Sequence, residues 1–345
     1  MPLAARRYTR GMRTPWICLA AAAVLAACGG APAGAGAPSP AASAAATATA
    51  TAPPAAPPAP AATAPAPAAA PAASPTAATS AAPAAPAPQP CGALGCLAFD
   101  TPERAFAHVL EGKPRVLAVG ESHAQKGSEG IPSATRRFTE QLLPALSGRA
   151  SDLIVELWAA DPRCKKEQVA KVEKEQQAVT QSQAADNQNE FLTLGNGAKR
   201  LGIQPHVLRP SCEEYDAIVR AGPDAVGRML EMIARLTAAK AKALLPPADA
   251  AGKMVVAYGG ALHNDVAPRP GRESWSFGPE LSAHTGGKYV EIDIIVREFI
   301  KDTESWRALP WYGHFDREKH PDQAVLFNVA PGSYVLVFPG SQRSP

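Results

Sequence analysis

Residues 29–90 contain nothing but Ala, Pro, Gly, Ser and Thr apart from Gln89, so 62 consecutive positions bring no charge and no large apolar side chain. A segment of that composition buries too little surface to offset the entropy of ordering its backbone, and it cannot build a core. A globular domain must therefore lie in residues 91–345, a length sufficient for one α/β domain with a sizeable interior. Proline favours polyproline II at about 3.1 Å per residue, so residues 29–90 are expected to act as a disordered linker, reaching roughly 190 Å if fully extended. The 46% hydrophobic content is inflated by the alanines of this stretch.

What precedes the linker reads as an address. Arg6, Arg7, Arg10 and Arg13 stand before an apolar run from Trp16 to Ala27, twelve residues where a membrane-crossing helix needs about 20. The run closes on Leu25-Ala26-Ala27-Cys28, small residues before a cysteine, followed by Gly29-Gly30. This pattern resembles a bacterial lipoprotein signal spanning residues 1–28, in which cleavage leaves Cys28 as the lipidated first residue. The expected location is the cell envelope, with the membrane as a partner through the lipid. Gly29, not an aspartate, after the cysteine favours the outer membrane.

The net charge of +3 owes its sign to those four arginines, since no acidic residue precedes Asp100. The remainder is close to neutral, and nucleic acid is not an expected partner. Four cysteines follow the linker, Cys91, Cys96, Cys164 and Cys212. In an exported protein they suggest two disulfides. The preferred pairing is Cys91 with Cys96 and Cys164 with Cys212, against free thiols.

Beyond Cys91, short β-branched runs alternate with longer amphipathic ones, the pattern of a mostly parallel sheet with helices on both faces. Strands are expected at Arg115–Val119, Asp152–Trp158, Gln204–Leu208, Lys253–Tyr258 and Tyr289–Val296. Helical spacing marks Pro102–Leu110 and Ala134–Leu146. It also marks the polar stretches Lys165–Ala184 and Asn189–Lys199, and Glu213–Leu245 with a break at Gly222-Pro223. Ala324–Val329 and Tyr334–Phe338 flank Pro331-Gly332 and read as a closing hairpin or edge pair.

Open parallel sheets gather functional groups at the carboxyl ends of their strands. Three such ends carry polar residues that apolar packing would not select. In Gly120-Glu121-Ser122-His123 the carboxylate and imidazole lie two apart and point to one side if the chain stays extended. Glu156 is a charge inside the apolar strand Ile154–Trp158, costly to bury without a donor or cation. Gly259-Gly260-Ala261-Leu262-His263 offers close backbone approach and a second imidazole. Together Glu121, His123, Glu156 and His263 make a candidate catalytic set, or the ligands of a divalent metal ion.

These same places resemble the superfamily that joins the ChaN haem-binding lipoproteins, the Tiki and TraB proteins and the erythromycin esterases. The resemblance rests on Gly120-Glu121-x-His123, the acidic Glu156 of the next strand, and Gly260-x-x-His263, within roughly residues 113–300. It implies that Glu121, His123, Glu156 and His263 share a cleft. The erythromycin esterases carry one more residue between the Glu and the His. The haem-binding members would need a tyrosine ligand, for which Tyr215, Tyr258 and Tyr312 are the candidates. Two functions follow: a hydrolase, either metal-dependent or with His123 or His263 activating water directly, or a haem- or iron-binding surface lipoprotein without catalysis. A third is an envelope protein that keeps the fold alone.

The other polar and aromatic residues have structural readings. His108 reads as a surface or packing residue, His206 as facing a helix interface, and His284, His314 and His320 as exposed. Trp306, Trp311, Tyr312 and Phe315 read as core packing. Glu291 and Asp293 read as the wet face of a strand, with the alternative that Asp293 reaches the site. Arg136 and Arg137 read as an exposed helical pair.

Overall fold

The computed structural model describes residues 86–341. The expectations for residues 1–28, and for the linker up to residue 85, lie outside the described residues. Nine strands form one sheet there: β1 (Gln89–Pro90), β2 (Leu97–Phe99), β3 (Val116–Glu121), β4 (Ala150–Trp158), β5 (Gln204–Leu208), β6 (Met254–Gly260), β7 (Tyr289–Ile295), β8 (Ala324–Ala330) and β9 (Ser333–Val337). Their order is β1-β2-β8-β9-β7-β3-β6-β4-β5. The six strands from β9 to β5 run parallel, while β8 is antiparallel to β9, β2 to β8 and β1 to β2.

The helices are α1 (Pro102–Leu110), α2 (Ala134–Arg137), α3 (Lys166–Thr180), α4 (Asn187–Arg200), α5 (Cys212–Ala221), α6 (Ala225–Ala250), α7 (Gly278–His284) and α8 (Glu304–Arg307). Hydroxyl caps start several of them: Thr101 Oγ1 accepts from Arg104 N, Ser133 Oγ from Arg136 N, and Ser211 pairs with Glu214 in a capping box. After α2 the chain continues as a π turn, Phe138–Leu142, and a 3₁₀ turn, Leu143–Leu146, with Pro144 at its second position.

Central strands are buried on both faces, so they read as unbroken apolar runs. One face carries Leu117, Val119, Val256 and Ile292, packed against Phe106, Phe138 and Leu194 from the α1, π-turn and α4 side. The other carries Val116, Ala118, Val255 and Tyr289 against Ile218, Met232 and Leu281 of α5, α6 and α7. A third cluster joins Ile295, Val335 and Phe327 to Trp306 and Trp311. Both disulfides take the preferred pairing, Cys91–Cys96 and Cys164–Cys212.

Several expectations are corrected. Gln89 and Pro90, compositionally linker, already pair with Ala98 and Leu97. The expected C-terminal hairpin forms, β8 antiparallel to β9, and of the two alternatives only the edge position fails, because β9 also runs parallel to β7 and β2 covers β8. Helix α6 does not stop at Leu245 but runs through Pro246-Pro247 to Ala250; buried Leu245 and Ala248 hold that end, and Asp249 pairs with Arg115 at 2.5 Å. Glu291 and Asp293 do not lie on an outer solvent face, because β7 is interior in the sheet; Glu291 is 9% exposed and Asp293 half-buried. His206 Nε2 meets Asp152 Oδ1 at 2.7 Å across β4 and β5, a partner the sequence did not indicate. Arg137 is buried, bonding Pro132 O, Pro339 O and Ser341 Oγ over the Phe338 ring, whereas Arg136 is exposed. His320 is half-buried, its Nδ1 2.6 Å from Gln323 Oε1.

Candidate functional site at the carboxyl ends of the parallel strands

Strand β3 ends at Glu121 in register with Gly260 of β6 and Ile294 of β7. Because side chains alternate, Glu121 turns toward the α2 side, where Thr135 Oγ1 donates to its Oε2 at 2.5 Å and Tyr258 Oη at 2.7 Å. Its other oxygen, Oε1, meets His123 Nδ1 at 2.7 Å. A carboxylate only accepts, so Nδ1 carries the proton, and in neutral His123 the lone pair is on Nε2. That nitrogen lies over Gly260, where an added Cβ would stand 3.2 Å from it and 3.5 Å from Glu156 Oε2. The loop bearing His123 is pinned to the α3–α4 connection by a bridge between Gln125 and Gln183 and by bonds to Ala124 O from Ala184 N and Asn187 Nδ2.

Glu156 leaves β4 toward the opposite face. Its Oε2 accepts from Gly260 N at 2.6 Å, and its Oε1 lies 3.4 Å from His263 Nε2. Gly259 is required here, because a Cβ would fall inside 3.0 Å of Glu156 Oε2 and Cβ. His263 Nδ1 lies 2.7 Å from Trp275 O. Both ring nitrogens of His263 thus face acceptors, the arrangement of an imidazolium.

The electrostatics follow from burial and pairing. Burial alone would raise the Glu156 carboxyl, but the charge and hydrogen bond of His263, the charge of His123 and the Gly260 N–H outweigh it and hold the group at about 2. Burial would lower both imidazoles. For His123 the bond and charge of Glu121, with Glu156 behind it, prevail and raise it; for His263 the charge and bond of Glu156 and the Trp275 carbonyl do the same against repulsion from His123. The four sequence-selected residues therefore meet as two carboxylate–imidazole pairs flanking Gly260.

All four line one cavity of about 730 Å³. Its walls include Val179 to Gln188 between α3 and α4, Met229 and Ile233 of α6, Arg269 and Arg272 of the loop after β6, and Trp306 and Trp311. Nothing in the sequence marks the α3–α4 wall, a polar run with no motif. Thr135 is missed there too, and Tyr258 is read only as a haem candidate. Asp293 does reach this cavity, as do Asp265 and Glu291. Burial raises all three carboxyls: Asp265 to about 6 against the pull of Arg269, Arg272 and His263, Glu291 to about 7 and Asp293 well above the usual range, the last two helped by repulsion from neighbouring carboxylates.

The metal reading does not fit this arrangement. Among the described residues no three His, Cys, Asp or Glu side chains converge as a metal shell. Glu121 already accepts at both oxygens, and both nitrogens of His263 face acceptors. Nor does any of the three tyrosines line the cavity. Tyr258 donates to Glu121, Tyr215 is 2% exposed in the α5–α6 core, and Tyr312 donates to Asp302 at 3.0 Å.

Compared with protein-family models, curated proteins and solved structures, the chain gives no significant match to any.

Proposed function

We propose that the domain is a metal-free hydrolase of carbonyl esters, with His123 as general base, carried on an exported lipoprotein. The observation that supports this most directly is the Glu121–His123 pair, with Nδ1 fixed on the carboxylate at 2.7 Å and the ring on the cavity wall. In this reading a water oxygen attacks the ester carbonyl carbon and gives its proton to His123 Nε2. Glu121 stabilises the imidazolium so formed, and Thr135 and Tyr258 keep that carboxylate in place. The positive charge of His263, whose two N–H groups stay on Glu156 and the Trp275 carbonyl, acts through space on the charge that develops on the carbonyl oxygen. Collapse of the tetrahedral intermediate breaks the C–O bond, and His123 returns the proton to the leaving oxygen.

The likeness to ChaN, Tiki and erythromycin esterase proteins enters here as part of the same reading and rests on the three motifs alone. Lipidation of Cys28, outer-membrane placement and the tether belong to the same reading and rest on residues 1–90. No helix among the described residues is long and apolar enough to cross a membrane.

The test is turnover of a panel of p-nitrophenyl esters by the whole chain, with and without EDTA. Chelator-insensitive hydrolysis that drops about 10²- to 10⁴-fold in His123→Ala, with the fold retained, is the expected result. Absence of turnover above buffer, or full activity in that variant, refutes the proposal. Labelling with a fatty-acid analogue, lost in Cys28→Ala, tests the anchor.

A further inference from the structure

Asp265, Glu291 and Asp293 line the cavity but take no part in either carboxylate–imidazole pair. Glu291 and Asp293 stand two apart on one face of β7, and Asp265 arrives from the loop after β6. Each repels the others: Asp265 acts on both β7 carboxylates, and Glu291 acts on Asp293. The basic groups nearby, Arg269, Arg272 and His263, act on Asp265. The charges that act most on Glu291 and Asp293 are carboxylates. Glu291 accepts from Ser333 Oγ and Val266 N, and Asp293 from Asn264 Nδ2 at 2.9 Å.

A second, independent feature points to a ligand. Ser122 lines the same cavity, is 6% exposed, and its Oγ has no hydrogen-bond partner. Beside Asp293, Asn264 is 2% exposed and its Oδ1 is likewise unpartnered. Buried polar atoms left without partners cost free energy, so such a pair calls for an explanation. The indoles of Trp306 and Trp311 line the cavity as well. Carboxylates that repel one another beside an unpartnered buried hydroxyl make a pocket that a protonated amine completes. An ammonium brings three donors and one positive charge, and it is attracted to a ring face.

We propose that Asp265, Glu291, Asp293 and Ser122 form a subsite for a protonated primary amine, so that the substrate of this cavity is an amine-bearing ester. The substrate clause rests on the hydrolase reading; the amine subsite itself does not. The groups facing it are His263, Arg269 and Arg272 around Asp265, Asn264 and Ser333 as hydrogen-bond partners, and Tyr289, whose hydroxyl is committed to Asn264 O at 2.6 Å. Glu291, held up at about 7, and Asp265, at about 6, must lose protons to receive the ammonium. Binding should therefore release protons near neutral pH and strengthen as pH rises from 5.5 to 8.

The probes are 4-phenylbutylamine and its neutral isostere 4-phenylbutanol, titrated calorimetrically into the whole chain. At pH 8 the amine should bind about tenfold or more tightly than the alcohol, the scale of one charge-assisted hydrogen bond. The preference should shrink at pH 5.5 and fall below about twofold in Asp265→Asn/Asp293→Asn. Proton release by the wild-type chain, measured in two buffers of different ionisation enthalpy, requires no variant to fold. Equal affinity for the two probes, binding of neither, or a preference that survives the double variant overturns the subsite. Ester turnover without amine preference would sink the subsite and leave the hydrolase; amine preference without turnover would do the reverse.

Discussion

Replacing His263 with Gln keeps a hydrogen-bonding side chain of similar reach but removes the positive charge beside Glu156. The wild-type carboxyl sits at about 2 against an ordinary 4.5. That difference corresponds to about 3 kcal/mol favouring the ionised, folded form. Once the imidazolium is gone burial dominates, and the carboxyl should titrate above its ordinary value. A carboxyl lowered in the folded state contributes stability above its unfolded value, lost as pH falls through its folded one. An imidazole raised in the folded state contributes below its unfolded value, lost as pH rises through its folded one. Both contributions are whole between about pH 4.5 and 6.5. At pH 5.5, His263→Gln should therefore cost about 3 kcal/mol in urea unfolding, a fall of about 6–12 °C in Tm for a domain of this size. The cost should narrow toward pH 2. Carbon-13 NMR of labelled glutamate side chains would read Glu156 directly. A native carboxyl titrating at 4.5 or above, or a loss under about 1 kcal/mol at pH 5.5, would refute the pairing as the reason a charge is tolerated at this position.

Three shorter predictions follow from the same geometry. Since the base form of His123 is the neutral ring, kcat/KM for ester hydrolysis should rise with pH through an inflection above 6.5. Glu121→Gln should lower both the rate and the inflection, and an unchanged pH profile would exclude Glu121 as the group that sets it. Gly259→Ala forces a methyl group into Glu156 and should cost about 1–3 kcal/mol of stability, measured by thermal unfolding. An unchanged Tm would show that β4 and β6 separate easily there. Hemin titration should give no Soret band, because no tyrosine lines the cavity. A band abolished by His263→Ala would restore the haem reading.

Much of the architecture was legible because parallel sheets leave a simple trace. Val116–Val119 and Val255–Ala257 are apolar at every position, since both faces are covered. Gln89-Pro90 joins the sheet through backbone bonds, to which composition is blind. The strand-end motifs disclosed Glu121, His123, Glu156 and His263, each being a polar residue where packing alone would have chosen an apolar one.

What those residues do to one another was not in the sequence. Two carboxylates and two imidazoles are equally a metal shell or two hydrogen-bonded pairs; the spacing of two brings Glu121 to His123, but only strand order, with β6 next to β4, brings Glu156 to His263. The same ordering turned Glu291 and Asp293 toward the cavity instead of the outer surface by placing β7 inside the sheet, where strand alternation alone predicted solvent. Local sequence fixes which groups reach a strand end and which face they take. Their partners, and hence their protonation and chemistry, are set by neighbours more than a hundred residues away, as with Glu121 and Tyr258 or Glu156 and His263.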